Sequence, residues 1–365
     1  MNSRASQNSI IAAVNFVQRR DGHNLSPWQW ANYQGVIVCV ILLKTCLPRP
    51  IDFIAWVVQR CLDLILPEPM KTSLQYCTRH FGRLIQRCPS VAPGHNFKFA
   101  NPLYSLDAST IDLCLSAFPW ANFRTTKGAV KLHVRLNQAA YLPEFVAITE
   151  GKKHDVKVGR TLNFPKGSIV VIDKAYNDYS WHKQLPDNGI FFVTRFKNNA
   201  NFRVVYRRSL PKEKGLTCDQ TIEFTGMITA KSCPDQVRRI GYRDPITGKH
   251  YVFLSNNFKL SAKPIADIYK SRWQVELFFL WIKQNLKIKS FFGTSKNAVM
   301  TEIWIAMCIY LLIAFIKFQS KLQKCMQQIL RLLRVNLFER RDLMALLIGD
   351  PVNKGLPNIY QIALL

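Results

Sequence analysis

Residues 169–172 read Ile-Val-Val-Ile, with Ser168 before them and Asp173 behind. Four consecutive apolar residues, all β-branched, leave no polar face, so the run suits a strand covered on both sides. Such a strand belongs in the middle of a sheet with helices above and below it. Neighbouring segments read in the same way. Leu103–Ser109 is a short strand, Val130–Leu136 alternates, and Glu144–Thr149 is mostly apolar, with Lys127-Gly128 and Pro143 as turn signals between them. A helical stretch leads to Gly167, a helix follows near Tyr179–Leu185, and a strand covers Ile190–Arg195. The expectation is an α/β sheet domain.

Around that domain the pattern changes. Residues 1–95 read as a helical N-terminal region. Within it, Asp52–Leu66 has apolar residues at helical spacing and stops before Pro67, and Arg79–Arg87 is a basic helix. No helix-turn-helix is evident. Residues 197–258 hold short strands (VVYRR, TIEF, VRRIGYR, YVFLSNN) and read as an antiparallel β insertion. Helices return at Ala266–Leu286, Ala298–Lys317 and Gln319–Leu333, with Gln328–Arg334 an amphipathic packing helix, and residues 351–365 form a loose tail.

Charge narrows the partner. The 365 residues include 50 Lys and Arg against 23 Asp and Glu, a formal net charge of +27. Such a surface gathers polyanions. Nucleic acid is favoured over an anionic membrane surface. The apolar runs Gly35–Leu43 and Ile303–Ile316 fall short of the roughly 20 residues a spanning helix needs, and the polar start MNSRASQNSI does not read as a secretory signal. The ten cysteines make no CxxC pair and no zinc-finger spacing with histidine, so reduced thiols in a cytoplasmic protein are expected.

In a chain poor in acidic residues, carboxylates inside strands stand out. Asp107 follows Leu106 in an apolar strand and Asp173 ends the buried run. A buried carboxylate needs a cation or a hydrogen-bonded partner. Carboxylates in such positions can hold divalent metal, which activates water or a 3′-hydroxyl and stabilises the leaving oxygen. Either Asp reads equally as a helix or turn cap. Further on, Tyr269, Arg272, Glu276 and Lys283 recur at steps of three, four and seven, which keeps them on roughly one helical face. One carboxylate, two cations and a phenol on one stripe suit metal and phosphate; a solvated face with an Arg272–Glu276 ion pair is the plain alternative. Arg203, Arg207 and Arg208, beside Phe202 and Tyr206, form a basic and aromatic face suited to DNA backbone, or to a charged edge strand that resists aggregation. His133 and His154 are read as structural, with His154-Asp155 a lesser candidate for the site.

The stripe Tyr269-(2)-Arg272-(3)-Glu276-(6)-Lys283 resembles the signature of insertion-sequence DDE transposases of the IS-four group. NPLYSLDAST around Asp107 and SIVVIDKAYNDYS around Asp173 are similar to that group's first and second catalytic strands. KGAVKLHV, ITEGKKHD, YLLIAFIKFQ and NLFERRDL are similar to it too, so the resemblance covers about residues 95–350. It implies an RNase H-like catalytic domain over 96–196 and 259–300, interrupted by the β insertion, with C-terminal helices over 301–350. It implies Asp107, Asp173 and Glu276 as catalytic metal ligands, with Tyr269, Arg272 and Lys283 on DNA. The cofactor would be two Mg²⁺ ions, with Mn²⁺ able to substitute. The partners would be double-stranded DNA, as transposon ends and target, and a second copy of the chain, with no membrane. Two departures stand beside it. Asp173-Lys174-Ala175-Tyr176 replaces a frequent Arg-Gly before the tyrosine, and residues 1–85 do not resemble the group's end-recognition region. The alternative activity is therefore a defective or domesticated DNA-binding remnant. Some relatives form hairpins and hold a flipped base against a tryptophan of the insertion; residues 190–260 contain no Trp.

Overall fold

The computed structural model describes residues 70–197, 199–210, 215–286, 288, 290–291, 293–336 and 343–348. The expected helix Asp52–Leu66, the run Gly35–Leu43 and the tail lie outside the described residues. The chain divides into two compact units, residues 85–303 and residues 1–84 with 304–365.

The larger unit is built on one ten-stranded sheet among the described residues. β1 (Leu103–Leu113), β2 (Asn122–Arg124), β3 (Lys127–Asn137) and β4 (Leu142–Glu150) are antiparallel neighbours, with β3 between β1 and β4. β5 (Ile169–Ile172) then pairs parallel with β1, and β6 (Phe191–Arg195) parallel with β5. All four residues of β5 are buried, as a central strand requires. β1 runs four residues beyond the expected Ser109, because its whole length pairs with β3, from Tyr104↔Asn137 to Leu113↔Gly128.

Residues after 200 extend the same sheet. β7 (Phe202–Arg207), β8 (Leu216–Phe224), β9 (Val237–Arg243) and β10 (His250–Ser255) form an antiparallel meander. β10 joins it to β6 through Phe253↔Arg195 to Ser255↔Val193. A short helix, Met227–Ser232, sits between β8 and β9.

Two apolar layers cover the sheet. On one face Leu106, Val170, Ile172 and Phe192 pack with Tyr176, Trp181 and Leu185 of the segment around helix Tyr179–Asp187. On the other, Leu103, Ile169, Val171 and Val193 pack with Ile265, Ala266, Ile268 and Tyr269. Alternation along β1 and β5 assigns odd-numbered residues to the second layer, and Asp107 and Asp173 share that parity.

The expected single helix Ala266–Leu286 is two helices, α5 (Ala262–Ser271) and α6 (Trp273–Asn285), counting α1 as Met70–Arg87, α2 as Asp155–Gly159, α3 as Tyr179–Asp187 and α4 as Met227–Ser232. The break has a local cause. Ser271 Oγ donates to the Ile268 carbonyl at 2.6 Å, the acceptor an unbroken helix would give to Arg272 N–H. Arg272 N–H bonds Tyr269 O at 3.1 Å instead, and Val275 N–H bonds Arg272 O. α7 (Lys296–Gln319) is 24 residues, longer than the apolar run within it, and is the helix among the described residues long and apolar enough to cross a membrane. Seventy-eight per cent of its apolar window is buried within the protein. The expected helix Gln319–Leu333 begins only at Met326, as α8 (Met326–Val335), because the chain turns at Lys321, whose φ is +50°. α8 buries Ile329, Leu330 and Leu333. In the smaller unit Phe81 meets Trp304 edge-on at 5.0 Å, and the Cys308 thiol donates to Cys77 O at 3.6 Å.

Candidate metal and nucleic-acid site

Adjacent parallel strands bring the two aspartates together. The last β1–β5 pair is Leu106↔Ile172, so Asp107 and Asp173 are the next residues along neighbouring strands. Strands lie about 4.8 Å apart, and both side chains share one face. α6 packs against β1 on that face and brings Glu276. Gln138 anchors the arrangement: its amide donates to the buried Ser105 hydroxyl on β1 and, at 3.1 Å, to Ser271 O at the end of α5.

The helix break places Tyr269 and Arg272 on the acidic groups. Arg272 Nη1 donates to Asp107 Oδ2 at 2.9 Å and Nη2 to Glu276 Oε1 at 2.5 Å. Tyr269 Oη donates to Asp173 Oδ1 at 3.3 Å. Asp107 and Glu276 are thus joined through Arg272, and Asp173 is joined to Tyr269, whose ring lies 5.8 Å from the Arg272 guanidinium, so five of the six residues singled out around the triad meet. The sixth, Lys283, lies further along α6 and donates to Thr110 O of β1 at 2.8 Å.

Electrostatics marks the cluster as short of positive charge. Burial pushes the Asp107 carboxyl up to about 6, against the pull of Arg272 and the Ala108 N–H, and the charges of Asp173 and Glu276 add to the rise. Burial opposes the Arg272 charge, but Asp107 first, then Tyr269, Glu276 and Asp173 outweigh it and raise its pKa. Burial also raises the Tyr269 phenol. Three carboxylates offer only hard oxygen donors, the set that Mg²⁺ prefers. In this arrangement a guanidinium lies between two of them, and no three His, Cys, Asp or Glu groups enclose an ion among the described residues. The donor chemistry fits a divalent ion once the guanidinium withdraws.

The arginine face lies elsewhere. β7 is the sheet edge, five strands from β5 in the order β5-β6-β10-β9-β8-β7. Its pairing shifts between Val204 and Tyr206, a bulge of the kind that protects edges. Arg203 is bound to Glu223 at 2.8 and 2.6 Å, and Arg208 to Thr221 at 3.0 Å, with its guanidinium over the Tyr206 and Phe258 rings. Arg207 is exposed. His133 is fully buried, and His154 precedes α2 without capping it through its side chain. Sequence reasoning missed Gln138, Ser105 and Tyr176 around the site. Their roles depend on cross-strand partners, which no local spacing reveals.

Residues 99–312 match the family described as transposase DDE domain. The chain is 34% identical over 241 residues to a putative transposase, y4zB, of Sinorhizobium fredii, covering 64% of this chain and 66% of that protein. It is 31% identical over 230 residues to a probable transposase for insertion sequence element IS5377 of Geobacillus stearothermophilus, covering 62% and 60%. It is 24% identical over 214 residues to a putative transposase for insertion sequence element IS4SA of Synechocystis, covering 58% and 60%. The chain thus spans 60–66% of the length of these relatives. A solved piggyBac transposase synaptic complex with hairpin DNA aligns with a TM-score of 0.44 and 11% identity, over 94% of this chain and 78% of that one. With a match that covers more than half of its length, this chain belongs to the transposase DDE domain family.

Proposed function

We propose that this protein is a DNA transposase of an insertion sequence, cleaving the element's ends and joining the freed 3′-hydroxyls to target DNA. The observation that carries this reading is the meeting of Asp107, Asp173 and Glu276, from segments 66 and 103 residues apart, around Arg272 and Tyr269. Asp107, Asp173 and Glu276 would hold two Mg²⁺ ions, with Mn²⁺ as a substitute; when bound, the metal activates the attacking oxygen and stabilises the leaving one. Arg272 and Tyr269 would bind phosphate oxygens, to which a fork of N–H donors is suited. Lys283, tied to the β1 backbone, would serve the flank of the same DNA.

The strand order β4-β3-β1-β5-β6, with antiparallel pairs leading to two parallel ones, supports an RNase H-like reading of the catalytic domain, with β7–β10 as its insertion. The Tyr269–Lys283 spacing supports the IS-four group. The net charge of +27 supports double-stranded DNA as partner; two copies of the chain would engage the paired ends in the cytoplasm. Arg203, Arg207 and Arg208 would add backbone contacts at the sheet edge. The test is cleavage of a duplex carrying the element's ends with Mg²⁺. Wild type cuts and Glu276→Gln does not; equal cutting by the two removes Glu276 from the chemistry and refutes the assignment.

A further inference from the structure

Behind the acidic cluster, the buried His133 Nδ1 and Tyr176 Oη have no hydrogen-bond partner among the described residues, and the buried Asp155 Oδ1 accepts no aligned hydrogen bond beyond its ion pair with Lys131. The segments that carry them adjoin. His133, on β3, is fully buried with Nδ1 3.8 Å from Asp155 Oδ1. Asp155 begins α2, which packs against the 3-10 turn Lys174–Tyr176. Tyr176 is 1% exposed, and after burial the charge of Asp155, ahead of Asp107 and Asp173, does most to raise its phenol. Lys131 Nζ lies 2.9 Å from Asp155 Oδ1 and donates to Lys153 O, so charge attraction holds the carboxylate in place from the open side.

The imidazole tautomer follows from its neighbours. Burial lowers the His133 pKa to about 4, so the ring is neutral. Its Nε2 is 2.9 Å from Thr149 Oγ1, whose own proton goes to Glu150 O at 3.2 Å. The Thr149 oxygen therefore accepts from Nε2–H, and Nδ1 is a bare acceptor. A bare nitrogen and a carboxylate oxygen 3.8 Å apart repel unless a group with two protons bridges them from one side. The phenol has one. A water has two, and it can also accept the phenol proton, which satisfies all three atoms with the three hydrogen bonds usual for a buried water.

We propose that His133, Asp155 and Tyr176 close around one buried water, and that this brace positions Asp173. The turn that holds Tyr176 follows Asp173 directly, and Tyr176 N–H bonds Asp173 O at 3.0 Å. Fixing the phenol from α2 and β3 fixes the turn, and the turn fixes where the Asp173 carboxylate stands at the end of β5. His133, Asp155 and Tyr176 are positioning residues, and their effect on metal rests on the reading of Asp173 as a ligand. Groups that orient a ligand from behind typically change metal affinity by about 10- to 100-fold.

The test uses the full chain without DNA. Tyr176→Phe keeps the ring that fills the core and removes the hydroxyl; Asp155→Asn removes the charge at a partly exposed residue. Two quantities are read in each folded variant: Mn²⁺ affinity from the spin resonance of free ion, and hydrogen exchange at the Tyr176 amide in EDTA. The expected result is Mn²⁺ affinity weakened by about 10-fold and faster exchange at Tyr176, with the melting temperature held. Mn²⁺ affinity within twofold of wild type in both variants overturns the positioning role. Unchanged protection at Tyr176 overturns the brace itself. If wild type binds no Mn²⁺ that Asp107→Asn abolishes, the metal reading fails, and the amide exchange still decides the brace.

Discussion

Asp107→Asn is expected to make the metal-free protein more stable at neutral pH. The wild-type carboxyl has 18% of its side chain exposed and titrates at about 6, against 3.8 for an ordinary aspartate. The folded chain thus holds this proton more tightly than the unfolded chain. Stability from this group is full below pH 3.8 and is lost as pH rises through 6. At pH 7.5 the ionised form costs ~3 kcal/mol relative to a neutral isostere, a figure that already includes the attraction of Arg272. At pH 4.5 the folded carboxyl is mostly protonated and the cost falls to ~1 kcal/mol. Urea unfolding of both proteins in EDTA, followed by tryptophan fluorescence at the two pH values, measures the gap. Mg²⁺ should stabilise the wild type and leave the variant unchanged, since the cation offsets the charge that the variant lacks. A variant less stable than wild type at pH 7.5, or a gap that does not shrink at pH 4.5, would falsify the reasoning, because either outcome means Arg272 already outweighs burial.

Three further outcomes are expected. His182 is 1% exposed, stacks on Phe192 at 4.6 Å and has neither ring nitrogen partnered among the described residues, and burial lowers its pKa to about 3. Its neutral folded form contributes stability present above pH 6.5 and lost on acidification, ~2 kcal/mol by pH 5, so His182→Phe should flatten the fall in urea midpoint between pH 7 and 5; an equal fall in both proteins refutes this. Arg238 binds Asp219 through two bonds of 2.8 and 2.6 Å, both side chains at most 5% exposed, so Arg238→Ala leaves the buried carboxylate only the Arg208 guanidinium at 3.5 Å and should cost ~3 kcal/mol in thermal unfolding, with a loss below ~1 kcal/mol speaking against it. On the β7 edge, Arg207→Gln should reduce the salt dependence of DNA binding by about one phosphate contact, while Arg203→Gln, already held by Glu223, should change it little; the reverse order would reassign that surface.

The sequence alone determined the elements whose physics is local. The apolar run 169–172 dictates a central strand because no residue in it tolerates water on either face. The Tyr269–Lys283 spacing brings its members to one side of the chain even though the helix breaks at Arg272, since that residue keeps helical dihedrals of −54° and −30°. The excess of basic residues speaks for a polyanionic partner with no structure at all. What lay beyond the sequence depends on partners distant along the chain. Ser271 capturing the Ile268 carbonyl breaks a helix that periodicity reads as continuous. The meander after residue 200 becomes part of one sheet only because β10 pairs with β6. Asp107 and Asp173, 66 residues apart, become neighbours only through the parallel register Leu106↔Ile172. His133 and Asp155, 22 residues apart, become one polar cluster only through the packing of α2 over β3 and the turn after Asp173. Tertiary structure decided these points because hydrogen bonds and charges act over a few ångströms of space, wherever along the chain their partners lie.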